Sequence, residues 1–256
     1  MNKVLISIGL LGGLLILAAC GSSGASGGTL TGPVWALTAL NGQPLASGTG
    51  ITATFTADGA VSGSAGCNRY TGKYSTSGAN ITIDPAIAST MMACEQPVMD
   101  QETAYLKMLP QAKTYAVKGD QLTLMDASNT VVATYNAQTQ DLSGTNWNVI
   151  GYNNGKQAVT SVIAGTTLTA SFGKDGNLSG NAGCNNYNGP YKVSGSQITI
   201  GPLASTMKAC ADPAGVMEQE AQYLAALGSA ATYQVENNVL ELRTKDGALA
   251  ADFSKK

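Results

Sequence analysis

One block of sequence occurs twice in this chain, and the two copies lie a whole domain apart. The repeated segments are GCNRY at Gly66–Tyr70 and GCNNY at Gly183–Tyr187, TMMAC at Thr90–Cys94 and TMKAC at Thr206–Cys210, and QExxYLxxL at Gln101–Leu109 and Gln219–Leu227. The spacing is 117 residues at the first cysteine (184 − 67) and 118 at the third motif (223 − 105). That period far exceeds a solenoid repeat and matches a complete domain. The sequence therefore predicts two homologous domains, residues 31–138 and 139–256.

The amino-terminal residues 1–19 predict a secretory signal peptide. Lys3 supplies the positive start, and Val4–Leu17 is an apolar run that is short for a membrane span, which needs about 20 apolar residues. The segment Leu17–Cys20 (LAAC) resembles the lipobox of bacterial lipoproteins. The resemblance implies cleavage before Cys20, acylation of that cysteine and a membrane anchor. The alternative is an ordinary signal peptide cut after Ala19.

Residues 20–30 are predicted to be the lipidated cysteine and a flexible tether. Gly21–Gly28 (GSSGASGG) has no apolar side chain larger than alanine, so it has nothing to contribute to a core. We expect a lipid-anchored protein of the cell envelope. If the source is Gram-negative, Gly21 in place of aspartate after the cysteine indicates the outer membrane, facing the periplasm or the surface.

Charge and composition exclude several classes of function. Charged residues make up 12% of the chain, the net charge is −2, and histidine is absent. The chain has no basic run, which argues against nucleic acid as a partner. Without histidine there is no Ser-His-Asp or Cys-His catalysis and no histidine-ligated zinc. We expect no metal and no cofactor.

Four of the five cysteines are predicted to form two structural disulfides. Cys20 is assigned to lipid, and duplication favours one pair in each domain, Cys67–Cys94 and Cys184–Cys210, with spacings of 27 and 26 residues. The alternative is a metal site, but two thiols per domain are poor zinc ligands. Closing a loop of this length stabilises a domain by roughly 3.5 kcal/mol on the chain-entropy model.

Each domain shows several strand patterns and one helix pattern. Alternating segments such as Ile51–Phe55 and Leu168–Phe172 predict half-buried strands, followed by Asp-Gly turns. Helices are predicted over Val98–Leu109 and Gly215–Leu227. A single amphipathic helix needs a partner face. The predicted fold class is therefore α+β, with two tandem domains that are each a curved antiparallel β half-barrel packed around one α-helix.

These motifs resemble the META domain, also called the HslJ-like family, a small bacterial envelope module. The resemblance covers residues 35–135 and 147–253 and is most specific in the GCNxY, STMxAC and ExxYLxxL segments. It implies the half-barrel fold and a link with stress response, and it implies no enzymatic activity. The second domain has Asn186 where the first has Arg69, so a site that needed a guanidinium there would exist in one domain only.

No catalytic residue is predicted, but six residues are candidates for ligand binding. Glu102 lies on the helix face of Tyr105, and a carboxylate there is either a functional acid or a group that accepts backbone N–H bonds. The asparagine that follows the first cysteine of each domain either points into a ligand pocket or supports a turn. Tyrosine in the same motif lines a groove or packs the barrel. The six candidates are Asn68, Tyr70, Glu102, Asn185, Tyr187 and Glu220.

The leading functional hypothesis is a non-catalytic envelope lipoprotein that acts as a binding or stabilising module. Its expected partners are the membrane, through Cys20, and an envelope protein or cell-wall component. One alternative is a hydrolase that uses Glu102 or Glu220. Another is an inhibitor of a protease or lysozyme, in which a loop such as Asn153–Gly155 blocks the target.

Overall fold

The computed structural model describes residues 29–46 and 50–256. The predicted signal peptide, the lipidation site at Cys20 and most of the tether lie outside the described residues. Within the described part of the chain, no helix is long and apolar enough to cross a membrane.

The first domain contains ten strands and one α-helix. The strands are β1 Val34–Leu40, β2 Gln43–Pro44, β3 Thr52–Phe55, β4 Ala60–Ser64, β5 Arg69–Ser77, β6 Asn80–Ile83, β7 Ala88–Ser89, β8 Thr114–Lys118, β9 Gln121–Met125 and β10 Val131–Ala137. Helix α1 spans Gln96–Met108 and continues into a 3-10 turn over Leu109–Gln111.

The second domain repeats this order. Its strands are β11 Thr145–Asn153, β12 Val159–Ser161, β13 Thr169–Phe172, β14 Asn177–Asn181, β15 Asn186–Ser194, β16 Gln197–Ile200, β17 Ala204–Ser205, β18 Thr232–Glu236, β19 Val239–Arg243 and β20 Leu249–Lys255. Helix α2 spans Val216–Gly228. The two helices are thus confirmed, each with bounds within about two residues of those predicted.

Each domain is a closed barrel, which corrects the predicted half-barrel. In the first domain the sheet runs in the order β10-β9-β8-β6-β5-β4-β3-β1, and β10 then pairs with β1 to close the ring. In the second, β11 pairs with both β13 and β20. Closure places β1 and β10 in register, with Trp35 opposite Ala137, and a bulge after Leu37 bends the strand. Pairing the first strand with the last covers the two edges that a half-barrel would leave exposed at β1 and β10.

Alternation along the strands divides each barrel wall into a buried and an exposed face. Strand β6 reads exposed-buried-exposed-buried, with Ile81 and Ile83 turned inward, and β16 repeats that pattern. The core of the first domain is centred on Trp35, Phe55 and Tyr105, all at most 1% exposed. Helix α1 begins next to Pro97 and turns Tyr105 into this core.

The two domains are joined by a short linker, residues 138–144, that also forms part of the second barrel. Strand β18 pairs with β16 at one position only, and Tyr233 N–H donates to Ser196 O. Beyond that point the linker takes the place of a neighbouring strand. The Gln140 side chain accepts from Val235 N–H at 2.8 Å and donates to Val235 O at 2.9 Å, and Tyr233 OH donates to Gln140 O at 2.7 Å.

The turn after β18 docks onto the first domain. The carboxylate of Glu236 receives a charged hydrogen bond from Arg69 at 2.9 Å and one from the hydroxyl of Thr52. Asn237 donates its amide N–H₂ to Gly50 O at 3.0 Å. Arg69 therefore forms an interdomain ion pair, which explains why its counterpart in the second domain need not be a cation.

Candidate functional site

Glu102 holds the cysteine-containing loop of the first domain from the middle of α1. One carboxylate oxygen accepts the backbone N–H of Asn68 at 2.7 Å and that of Cys67 at 3.2 Å. The other accepts Nδ2 of Asn68 at 2.8 Å. Helical periodicity puts Glu102 on the same face as Tyr105, so the carboxylate is only 6% exposed. Three donors replace the water that burial removes.

Asn68 connects this carboxylate to the loop that leads into α1. Its Oδ1 accepts Met92 N–H at 2.6 Å and the Thr90 hydroxyl at 2.8 Å, and its Nδ2 donates to Met92 O at 3.1 Å as well as to Glu102. Both polar atoms of the carboxamide therefore make the bonds that they are able to make. We call Glu102, Asn68 and the loop groups bonded to them the loop clamp.

The second domain contains the same loop clamp. Glu220 accepts Asn185 N–H at 2.8 Å and Asn185 Nδ2 at 3.0 Å. Asn185 Oδ1 accepts the Thr206 hydroxyl at 2.6 Å and Lys208 N–H at 2.8 Å. The change from Met92 to Lys208 does not disturb the clamp, because only backbone atoms of that residue take part.

A disulfide covers the loop clamp in each domain, as predicted. Cys67 is bonded to Cys94 and Cys184 to Cys210, with Cα atoms 6.0 Å apart in both cases. Each bridge ties the residue before the clamp asparagine to the segment just before the helix. Disulfides also indicate an extracytoplasmic location, because thiols in the cytosol are kept reduced.

The candidate tyrosines belong to a hydrogen-bonded cluster below the clamp. Tyr70 OH lies 2.8 Å from Tyr105 OH and donates to Thr52 O at 3.0 Å, and Tyr135 OH donates to Tyr105 OH at 3.3 Å. Burial raises the pKa of Tyr105 and of Tyr70 well above the usual value for a phenol. The hydroxyls are therefore neutral in the physiological range, and the cluster is a packed network without an ionised member.

The second domain keeps a reduced form of the tyrosine cluster. Tyr187 OH lies 3.0 Å from Tyr223 OH and donates to Thr169 O at 2.8 Å. Phe253 stands where the first domain has Tyr135. Burial again raises the pKa of Tyr187 and Tyr223.

The structure brings the six candidate residues together as two groups of three, one in each domain, and encloses them. Their exposed fractions range from 1% to 6%, and each one hydrogen-bonds to other groups of the protein. Their ligand-binding role stays a prediction, and a ligand would have to compete with a complete set of internal bonds. Sequence reasoning missed the helix tyrosines Tyr105 and Tyr223 and the loop threonines Thr90 and Thr206 as members of these networks. The signal was available, because all four recur in the duplicated motifs.

The cavities lie away from the clamp carboxylates. A cavity of about 600 Å³ lies between α2 and two turns of the second domain, with Ala221, Ala225 and Asn153 among its lining residues. A shallower one of about 420 Å³ on the first domain is lined by Tyr70 and Arg69. Neither is lined by Glu102 or Glu220. Among the described residues, no group of three or more histidine, cysteine, aspartate or glutamate side chains is placed to hold a metal ion.

The fold and the clamp define a class of protein, a tandem of closed eight-stranded barrels, each with one helix and one disulfide over a buried glutamate. A scan against protein-family models matches the META domain over residues 28–139 and again over residues 140–256. The chain therefore belongs to the META-domain family, with two copies of the domain.

Comparison with other proteins adds little beyond the family. No curated protein matches the chain. Among solved structures it is similar to a Burkholderia xenovorans protein determined by NMR, with 23% identity, 45% of this chain and 83% of that chain covered, and a TM-score of 0.38. It is also similar to a DUF4847 family protein from Bacteroides vulgatus, with 18% identity, 43% and 92% covered, and a TM-score of 0.34.

Proposed function

We propose that this protein is a non-catalytic, lipid-anchored binding module of the cell envelope, in which each of the two META domains presents a binding surface. The observation that carries the proposal is that both buried glutamates are hydrogen-bonded to a loop of their own domain. Each carboxylate accepts bonds from the asparagine after the cysteine, so its oxygens are occupied in stabilising a loop. A general acid or nucleophile needs an oxygen that reaches the substrate.

The interdomain contacts support a single body. Gln140 completes the second barrel, and Glu236 pairs with Arg69 of the first. Two binding surfaces held in fixed relation bind a repetitive or bivalent target more tightly than either alone, provided that the target matches their spacing. The anchor at Cys20 would hold this body at a membrane, with an envelope protein or cell-wall component as partner and no nucleic acid.

The hydrolase alternative is tested by turnover. We expect no hydrolysis of cell-wall or peptide substrates by the purified chain. The proposal is wrong if turnover is found and is lost in Glu102→Gln or Glu220→Gln while the circular dichroism spectrum is unchanged. Glu95→Gln, which changes an exposed glutamate, is the matched control.

The anchor is tested separately in cells. Labelling with a radioactive fatty acid should mark the wild-type protein, and Cys20→Ala should abolish the label and release the protein from the membrane fraction. A Cys20→Ala variant that stays in the membrane fraction would contradict the lipid anchor. This outcome is independent of the turnover assay.

A further inference from the structure

The linker shows what the edge of β18 binds, whereas the described residues leave the matching edge of the first domain unpaired. Residues 118 positions apart are equivalent here, so Tyr115 and Val117 correspond to Tyr233 and Val235. The registers also agree, because Val117 lies opposite Leu122 just as Val235 lies opposite Leu240. The outward N–H and C=O groups of Val117 therefore point to the side on which Val235 meets the linker.

No described residue fills that position in the first domain. Strand β8 pairs with β6 only at Asn80 and Thr114, and Tyr115 N–H donates to Ala79 O at 2.9 Å. Beyond this point, no bond from the described residues reaches the outward backbone groups of Val117 or the hydroxyl of Tyr115. Their counterparts make three bonds to Gln140.

The residues next to Val117 are also more exposed than their counterparts next to Val235. Ala116, Lys118 and Gly119 are exposed, whereas the residues at the same places in β18 and its turn are part-buried under the linker and the first domain. A strand edge with unpaired backbone groups is a template for another strand. The described residues therefore leave this part of β8 unpaired, whereas the linker covers the equivalent edge of β18.

The sequence that precedes the first domain lacks the two glutamines of the linker. Leu142 and Gly144 of the linker correspond to Leu30 and Gly32, at a spacing of 112 residues. At that spacing, the sequence has Ser26 and Gly28 at the positions equivalent to Gln138 and Gln140. Neither has a carboxamide able to donate to and accept from a strand edge.

We propose that the backbone edge from Tyr115 in β8 to Gly119 in the turn that follows binds an extended segment of another protein through side-chain carboxamides of that segment. The segment that fits has carboxamide side chains two residues apart and an acidic residue. The carboxamides would bond Val117 and Gly119 as Gln140 and Gln138 bond Val235 and Asn237. Lys118 supplies the positive charge that attracts the acid, where the second domain has Glu236. This proposal rests on the proposed function as a binding module and names the class of its partner.

The linker itself provides the probe. A synthetic peptide with the sequence of residues 136–142 (NAQTQDL) is added to the ¹⁵N-labelled protein, and amide shifts are followed by NMR. Three or four hydrogen bonds of ordinary strength predict weak binding, with a dissociation constant of about 1–10 mM. We expect saturable shifts at the amides of Val117 and Gly119 and none at Val235, whose edge is already filled. The control peptide has alanine in place of both glutamines.

Three results would overturn the proposal. The first is the absence of saturable shifts, and the second is equal binding of the control peptide. The third is slow hydrogen exchange of the Val117 amide before any peptide is added, because the edge would then be covered by the chain itself. Tyr115→Phe, which removes only the hydroxyl that would meet a carbonyl of the segment, should weaken binding between about two- and tenfold. Failure here leaves the turnover and anchoring tests of the proposed function unaffected.

Discussion

Replacing Glu102 with glutamine should destabilise the first domain while leaving its shape unchanged. The carboxylate accepts three bonds, two from backbone N–H groups and one from Asn68 Nδ2. A glutamine keeps one acceptor oxygen, which can stay on the backbone donors. Its N–H₂ group then faces the N–H₂ of Asn68, so one bond is lost and two donors meet. Hydrogen bonds to a charged group contribute about 1.5–3 kcal/mol, so we expect a loss of about 2–3 kcal/mol in the free energy of unfolding.

The assay uses the one tryptophan in each domain, Trp35 and Trp147. In a Trp147→Phe background, the fluorescence of Trp35 reports urea unfolding of the first domain alone, because Trp35 is 1% exposed when folded. Glu95→Gln is the control, since an exposed glutamate changed to glutamine should shift the free energy by less than about 0.5 kcal/mol.

Two results would refute this reasoning. If Glu102→Gln unfolds within about 0.5 kcal/mol of the parent, the loop clamp does not stabilise the domain. If Glu220→Gln shifts the Trp35 transition as strongly as Glu102→Gln does, the effect is not local to the clamp of the first domain.

Three further predictions concern the disulfide, a partly buried carboxyl and the domain interface. Changing Cys67 and Cys94 together to serine should lower the free energy of unfolding by roughly 3.5 kcal/mol in a urea titration, because the bridge closes a loop of 27 residues. Burial is the main cause that raises the pKa of the Asp252 carboxyl. The protonated carboxyl therefore stabilises the folded state, and this stabilisation is lost as the pH rises through the raised pKa. Asp252→Asn should therefore raise the free energy of unfolding at pH 7 by less than about 1 kcal/mol, because the group is partly exposed, and should leave it unchanged near pH 3 in a urea titration. Glu236→Lys places a cation against Arg69, so NMR relaxation should give the two domains separate, shorter correlation times; equal, unchanged times would contradict the docking role of this pair.

Short-range patterns in the sequence were sufficient for the elements and their duplication. Alternation of apolar residues over four or five positions predicts a strand wherever it occurs, and β6 and β16 follow it. Helical periodicity placed Glu102 on the face of Tyr105, and duplication paired Cys67 with Cys94. Each of these inferences depends only on the spacing of residues along the chain.

The partners of the buried groups depend on contacts between distant parts of the chain. Periodicity shows that Glu102 is buried, but only the folded loop brings Asn68, 34 residues away, to its carboxylate. Closure of the barrel likewise depends on β1 meeting β10 in register, with Thr38 donating to the carbonyl of a residue 96 positions away. A half-barrel and a closed barrel have the same strands, so their sequences carry the same local pattern.

The sequence by itself determined that this protein has two homologous disulfide-bonded domains, each with a single helix that buries a glutamate. Tertiary structure decided that the barrels close, that the glutamate bonds a loop, and that Glu236 reaches Arg69 across 167 residues. The physical reason is that local conformation follows from the backbone and the nearest side chains, whereas hydrogen-bond partners are set by which surfaces meet in space. The same reason applies to the edge of β8 that the described residues leave unpaired, since nothing in its own sequence shows that the equivalent edge of β18 is filled by the linker.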